Sequence, residues 1–238
     1  MKAACRRHQV AGKGLMAVEL ILAFGTLDIA LPRTLGKAHG AGGNGLVSAI
    51  TVRIYNYARV PVPILVSTEG EANRIFRKAG VETEWVDCRL SVSESRTPDC
   101  ERPPTTSDVI LKLLPPSMAQ SIPVGDGTFG ITFTAGGKPT TEGFIFYQRV
   151  VDLARSGYVH EQEVLAAVMA HEIGHMLLGS SSHSISGVMK SAWNREELEL
   201  ARMGLLRFTP SQSTLIRAEV RARAGQQTAS SLWPGNGD

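Results

Sequence analysis

Two histidines, four residues apart, flank a glutamate in this 238-residue chain. The segment His171-Glu172-Ile173-Gly174-His175 fits the pattern H-E-x-x-H. In a helix, residues four apart lie on one face, so two imidazole nitrogens can reach one cation at about 2.0–2.1 Å. Glu172 would project beside that cation, where its carboxylate can take a proton from a water molecule. These residue types at this spacing predict a zinc site at which a water molecule is activated to hydrolyse a bond in a substrate.

The surrounding sequence predicts the helix that such a site requires. Over residues 161–178, apolar residues and the two histidines recur at spacings of three and four and form a single stripe. The stripe is apolar at both ends, so both imidazoles are expected to point inward. A buried imidazole needs a polar partner, and a shared metal ion meets that need for both rings.

Two kinds of residue are candidates for a third ligand. His183 needs only a turn after the helix to fold back toward the pair, and imidazole nitrogen is a common zinc ligand. The alternative is a glutamate from the following helix, because Glu196, Glu197 and Glu199 lie 21 to 24 residues after His175. Such a charged cluster is more commonly a solvated helix face. We favour His183 and keep the glutamates as the alternative.

Residues 171–189, HEIGHMLLGSSSHSISGVM, resemble the active-site region of the metzincin zinc endopeptidases, and most of all the matrixin-like branch. The resemblance implies that His171 and His175 are the first two zinc ligands and that His183 is the third. It also implies that Glu172 is the general base and that the cofactor is Zn²⁺.

The same resemblance assigns two residues of the loop that follows the helix. Gly179 matches the glycine of the turn, and Met189 matches the methionine of a turn beneath the metal. Gly179 and His183 come one and two residues later than in the usual pattern H-E-x-x-H-x-x-G-x-x-H. The separation of His175 and Met189 nevertheless equals the matrixin-like spacing, which indicates a local shift within the loop.

The residue patterns predict an α+β fold. Strands are predicted at residues 46–57, 81–86, 109–114, 127–135 and 143–151, and helices at 69–79, 161–178, 194–203 and 211–224. Gly80 should end the first helix, and Thr209 with Pro210 should begin the last. We therefore expect a mixed, twisted sheet with packed helices. The resemblance implies a zincin-like version, in which a small C-terminal helical subdomain follows the H-E-x-x-H helix.

The predicted strand at 127–135 alternates large apolar residues with small ones. This alternation predicts that the large residues face the core and that Gly130, Thr132 and Thr134 face away from it. The metzincin resemblance implies an edge strand that binds substrate as an added antiparallel strand. An ordinary strand within the sheet is the alternative.

The chain is expected to divide into a signal peptide with linker (1–40), a zincin-like metallopeptidase domain (41–224) and a flexible tail (225–238). Basic residues up to Lys13 precede an apolar run at 15–31, and small residues follow near Ala38, which is the pattern of an export signal. Glu19 and Asp28 lie in or beside the run and argue against a permanent membrane span. An internal helix, or a start codon assigned upstream of the true one, is the alternative.

Cysteine content agrees with export to the periplasm or the medium. Only Cys88 and Cys100 would remain after removal of the signal, and the eleven residues between them could form a closed loop in an oxidising compartment. Two unpaired thiols are the alternative.

The composition is typical of a globular protein, with 43% apolar and 20% charged residues. The formal net charge is only +3, and much of the basic excess lies at the two chain ends. This distribution marks no basic groove, so we expect no nucleic-acid partner. The oligomeric state stays open.

The sequence therefore predicts a zinc metalloendopeptidase whose partner is a peptide or protein substrate. One alternative is a non-catalytic exported protein in which a structural zinc site fastens the helix to the C-terminal subdomain. Glu172 argues against it, because a structural site does not need that carboxylate. A second alternative is an exported binding protein with a chance motif, which predicts that no zinc is bound.

Overall fold

A five-stranded sheet with helices packed on it makes up the described part of the chain. The computed structural model describes residues 49–88, 98–135, 138–179 and 181–232. The predicted signal peptide and linker, 1–40, lies outside these residues.

The sheet is mixed. The strands are β1 (Ala49–Asn56), β2 (Glu82–Asp87), β3 (Asp108–Leu114), β4 (Gly130–Ala135) and β5 (Lys138–Phe146). The helices are α1 (Val62–Ala79), α2 (Pro98–Glu101), α3 (Pro116–Ala119), α4 (Tyr147–Gly157), α5 (Glu161–Leu178), α6 (Arg195–Arg202) and α7 (Pro210–Leu232). In the order β2-β1-β3-β5-β4, adjacent strands are parallel except β4, which is an edge strand antiparallel to β5. The α+β fold with a mixed sheet and packed helices is confirmed.

The core lies between one face of this sheet and α5. Alternate residues of β1 and β3 are fully buried, and the register places Val52 beside Val109 and Ile54 beside Leu111. Helix α5 is buried on nearly all sides, because α1, α4 and α7 also pack against it. A helix that is apolar all round belongs in a core. The two histidines of α5 are thus carried by a helix that lies within the core of the described residues.

The prediction of a strand at 143–151 is wrong beyond Phe146, because the chain enters α4 at Tyr147. Val150 and Val151 fit a strand by residue type. In the structure they lie with Ala154 on the buried face of a helix, at spacings of three and four. Burial of that helical face outweighs the β preference of the two valines.

Helix α1 begins at Val62, seven residues before its predicted start. Pro63 lies in its first turn, where a residue without an N–H costs nothing because that N–H would have no partner within the helix. The helix ends as predicted at Gly80, which adopts a left-handed conformation with φ +82°.

Helix α7 starts as predicted, with Pro210 in its first turn and the Thr209 hydroxyl accepting a hydrogen bond from the Gln212 backbone N–H at 3.3 Å. It continues to Leu232, eight residues beyond the predicted end, so residues 225–232 of the predicted tail are helical. None of the helices in the described residues combines the length and apolar character that crossing a bilayer requires.

Cys88 and Cys100 form a disulfide, with Cα atoms 5.5 Å apart, which joins the end of β2 to α2. At the start of β3, the fully buried carboxylate of Asp108 accepts hydrogen bonds from Arg53 at 3.0 Å and Arg102 at 2.6 Å. Burial alone would raise the pKa of Asp108, but the bonds from Arg102 and Thr105 and the charge of Arg53 outweigh it and hold that pKa below its usual range. The buried charge is therefore fully paired.

Candidate metal centre

Three imidazoles meet at the C-terminal half of α5. The Nε2 atoms of His171 and His175 are 3.1 Å apart, and those of His175 and His183 are 3.2 Å apart. Within the described residues, this is the one group of three or more His, Cys, Asp or Glu side chains close enough to hold a single metal ion. The structure thus brings together all three residues predicted as ligands.

The donor set fits zinc. Nitrogen atoms at about 2.0–2.1 Å from a tetrahedral cation would be roughly 3.3–3.4 Å from each other. The observed separations of 3.1 and 3.2 Å between neighbouring Nε2 atoms come close to this value. Three histidines with a further position open to solvent are also the ligand number of a catalytic zinc site.

Backbone carbonyls fix the two rings of α5. The Nδ1–H of His171 donates to the Val188 carbonyl at 2.7 Å. The Nδ1 of His175 lies 3.3 Å from the Gly179 carbonyl and 3.1 Å from the Ser182 hydroxyl. Because Nδ1 carries the proton, the Nε2 lone pair of each ring is free to bind a cation, and the ring cannot rotate away.

Both rings of α5 are held in the neutral form. Burial lowers the pKa of His171 to about 4, although the hydrogen bond to Val188 acts in the opposite direction. Burial also lowers the pKa of His175, opposed by its contact with Gly179. A metal ligand must be neutral imidazole, so no proton has to be removed from these rings at neutral pH.

The Glu172 carboxylate is buried beside His171 and is held by β4. The Thr132 hydroxyl lies 3.0 Å from Glu172 Oε2 and 3.1 Å from the Glu172 backbone carbonyl. Burial raises the pKa of Glu172 to about 7, and the hydrogen bond from Thr132 acts in the opposite direction. A Cβ atom at Gly130 would lie only 2.6 Å from Glu172 Oε1, so glycine is what admits the carboxylate at this position.

The prediction that Gly130 and Thr132 face away from the core is therefore wrong. Both face α5, and the opposite face of β4 carries Phe133, which is 40% exposed and packs edge-on against Phe144 at 5.3 Å between ring centroids. The small residues lie inward because the edge strand has to leave room for a carboxylate rather than fill a core layer.

Met189 is fully buried and packs next to Gly174 of α5. A Cβ atom at Gly174, one residue before His175, would collide with the Met189 sulfur. The Ser184 N–H donates to the Met189 carbonyl at 2.9 Å, which ties the loop after His183 to the same segment. The methionine thus packs directly against the helix turn that presents the ligands.

Of the three downstream glutamates, none belongs to the histidine cluster, and Glu197 and Glu199 are paired elsewhere. Glu197 is buried and accepts bonds from the Lys190 ammonium at 2.6 Å and the Asn194 N–H at 2.9 Å. Burial opposes ionisation of Glu197, but these two bonds outweigh it and lower its pKa. Glu199 pairs with Arg202 on the surface. The structure therefore places His183, and not a glutamate, beside the α5 pair.

An open cleft of about 510 Å³ runs past the three imidazoles. One wall is residues 127–132, which lead into and include the first half of β4, and the other is residues 190–193. Trp193 stands edge-on to the His171 ring at 6.0 Å. Glu172 lies on the cleft between the walls, so a bound molecule would contact the carboxylate and the imidazoles at once.

Thr132 and the Val188 carbonyl are functional groups that the sequence did not reveal. Thr132 and Glu172 are 40 residues apart, and no periodicity connects a strand residue to a helix residue at that distance. A backbone carbonyl leaves no trace in residue type. The pairing of β4 with β5 under α5 brings Thr132 to the site, and the loop that follows α5 brings the Val188 carbonyl.

Replacement of His171 by Ala should abolish stoichiometric metal binding, because two ligands remain and one of them lies in a surface loop. Metal content after dialysis against a metal buffer measures the effect. His160→Ala is the control, since His160 lies outside the cluster at the start of α5 and its loss should leave the metal in place. Stoichiometric metal in His171→Ala would remove His171 from the site.

No protein-family model and no curated protein matches the chain. Among solved structures, the crystal structure of archaemetzincin from Methanopyrus kandleri is similar, with a TM-score of 0.44 and 16% sequence identity. The match covers 73% of this chain and 97% of that chain. Functional assignment therefore rests on the metal centre itself.

Proposed function

We propose that this chain is a zinc-dependent metalloendopeptidase of the metzincin-like class. One observation carries the proposal. Three imidazole Nε2 atoms converge at the wall of an open cleft, and a buried carboxylate, Glu172, lies next to them. The matrixin-like branch is the finer assignment, supported by the spacing of His175 and Met189 and by the packing of Met189 against Gly174.

The residues of the site divide the work between binding and proton transfer. His171, His175 and His183 would hold zinc, which when bound polarises a scissile carbonyl and lowers the pKa of a water. Glu172 takes a proton from the attacking water as the water oxygen bonds to the carbonyl carbon. It then gives that proton to the amide nitrogen as the C–N bond breaks. Thr132 keeps the Glu172 carboxylate facing the cleft throughout.

An extended peptide is the substrate that the cleft favours. β4 is the edge of the sheet, and its first residues form a wall of the cleft. An edge strand offers free backbone groups to which a peptide can add as a further antiparallel strand. Gly130 has no side chain and the Thr132 side chain is turned toward α5, so contacts of these two residues with the peptide would be made by the backbone. A site that recognises a peptide through backbone contacts of this kind can bind many different peptide sequences.

A structural zinc site has less support than a catalytic one. Structural sites are closed by a fourth protein ligand and are often rich in thiolates. The described residues offer three histidines, an adjacent cleft and a buried carboxylate that such a site does not need.

Export is the second part of the proposal. The signal-like segment at the N-terminus lies outside the described residues, and the support comes from the disulfide between Cys88 and Cys100. Disulfides form and persist mainly in oxidising compartments such as the periplasm or the extracellular medium.

Replacing Glu172 by Gln should lower peptide cleavage by roughly 10²- to 10⁴-fold, which is the usual contribution of a general base, while metal content stays unchanged. Gln keeps the shape of the side chain but cannot accept the proton. Cleavage of casein and of a peptide library, with and without phenanthroline, measures the activity. The matched control is Glu199→Gln, the same exchange at an exposed site away from the cleft.

Wild-type activity in Glu172→Gln would disprove the role of general base. A zinc-loaded wild type that cleaves neither casein nor any library peptide would instead favour the non-catalytic alternative.

Replacing Thr132 by Val should lower kcat by about 10-fold or more, since a hydrogen bond to a charged group contributes about 1.5–3 kcal/mol. KM and metal content should stay close to wild type, because Val has the same shape and Thr132 is no ligand. Thr132→Ser keeps the hydroxyl and should retain most of kcat. If Ser is as slow as Val, the methyl group rather than the hydroxyl matters, and the hydrogen bond has no role in catalysis.

Expression in a host with an intact export pathway should yield a mature chain that begins near Ala38 to Ala41, outside the cytoplasm. N-terminal sequencing and intact mass of the exported fraction provide the measurement. Deletion of residues 15–31 is the control and should retain the chain in the cytoplasm, because the apolar run is then missing. A full-length chain that stays in the cytoplasm would contradict export.

A further inference from the structure

Of the three histidines in the metal centre, His183 lies on the element that is least restrained by packing. His171 and His175 are fixed by the buried helix α5. His183, in contrast, is exposed and lies in the loop after α5, four residues after Gly179. A ligand on an unrestrained loop would have to be ordered when the metal binds, and that ordering costs affinity. Some contact must therefore hold this loop beside the other two rings.

A single side chain of α7 bonds both neighbours of His183. The Gln212 amide nitrogen, Nε2, donates to the Ser182 carbonyl at 3.0 Å and to the Ser184 hydroxyl at 3.1 Å. Gln212 is 8% exposed, so these bonds are largely shielded from water. The Gln212 side chain thus binds the loop on both sides of His183, with no hydrogen bond to an imidazole among those described.

The direction of the Gln212 amide is itself fixed by the start of α7. Its oxygen, Oε1, accepts a hydrogen bond from the Thr209 N–H at 3.0 Å, and the Thr209 hydroxyl accepts one from the Gln212 N–H at 3.3 Å. This reciprocal pair is a capping box. Because the oxygen faces a backbone donor, the NH₂ group must face the loop, and both of its hydrogens have acceptors there.

We infer that Gln212 is a positioning residue for the metal centre, which presets His183 as the third ligand through the Ser182 carbonyl and the Ser184 hydroxyl. The inference rests on the proposed metal site. It assigns a function in metal binding to a residue of α7, 29 positions after the ligand that it places.

Three variants separate this role from the role in capping α7. Gln212→Glu keeps an acceptor for the Thr209 N–H but has no donor for the Ser182 carbonyl. Gln212→Met removes the donor without adding a charge. Thr209→Ala is the matched control, because it removes one bond of the capping box and leaves the Gln212 contacts with the loop in place.

The measurements are the Kd for Zn²⁺, by competition with a chromophoric chelator, and the visible spectrum of the Co²⁺-loaded protein. The Tm of each metal-free variant is recorded alongside. Both Gln212 variants should bind Zn²⁺ about 10- to 100-fold more weakly, as expected when a group that orients a ligand is lost. Their Co²⁺ spectra should shift toward that of His183→Ala. Thr209→Ala should lower the Tm of the metal-free protein and keep wild-type Kd and spectrum.

Wild-type affinity in either Gln212 variant, or an equal loss of affinity in Thr209→Ala, would overturn the inference while leaving the metal site standing. A wild-type chain that binds neither Zn²⁺ nor Co²⁺ would remove the metal site, and this inference with it.

Discussion

The metal centre depends on three imidazole nitrogens being held close enough together to share one cation. Neighbouring Nε2 atoms lie 3.1 and 3.2 Å apart, where lone pairs repel each other unless a cation lies between them. Contacts on the opposite side of each ring maintain this arrangement. The Val188 carbonyl holds Nδ1 of His171, and the Gly179 carbonyl holds Nδ1 of His175. Burial keeps both rings neutral, so the repulsion is between dipoles rather than between charges.

Glycines are what let the rest of the domain come close enough to support that arrangement. A Cβ atom would meet Met189 at Gly174, Glu172 at Gly130 and, at 2.8 Å, the Met176 methyl group at Gly143. Each of these glycines lies where α5 contacts another element: the methionine segment, β4 and β5. Glu172, proposed as the general base, and Met189 therefore depend on the same close packing around one helix as the three imidazoles do.

The sequence predicts α5 with the same bounds as the structure, because an apolar stripe with two inward histidines over 18 residues has no competing interpretation. It predicts β1, β2 and β3 to within three residues at every end. The junction between β5 and α4 could not be predicted, since Val150 and Val151 suit a strand until a buried helical face is available. The sequence favours His183 by its ligand type, its nearness in the chain and the metzincin resemblance, whereas the structure adds that Glu197 is already occupied by Lys190.

The prediction of which β4 residues face the core is wrong, for a reason that is informative about function. Alternation of large and small residues assigns the large ones to the core, and that rule assumes that the core is filled by side chains of the strand. Here the inward space is taken by a carboxylate of α5, so the strand contributes Gly130 and a hydroxyl instead. A local pattern rule breaks where a functional group takes the place of packing.

The two walls of the cleft are fastened to the elements that carry the chemistry. β4 is joined to α5 through Thr132 and Glu172, so the strand proposed to bind a peptide also orients the proposed base. The opposite wall, 190–193, is anchored by Lys190 on Glu197 and by the Trp193 indole N–H, which donates to the Val188 carbonyl at 3.3 Å. That carbonyl is the acceptor that holds His171. A peptide bound between these walls would contact the segments that place the proposed base and a proposed ligand, so the same few contacts would set both the position of a substrate and the geometry of the proposed catalytic groups.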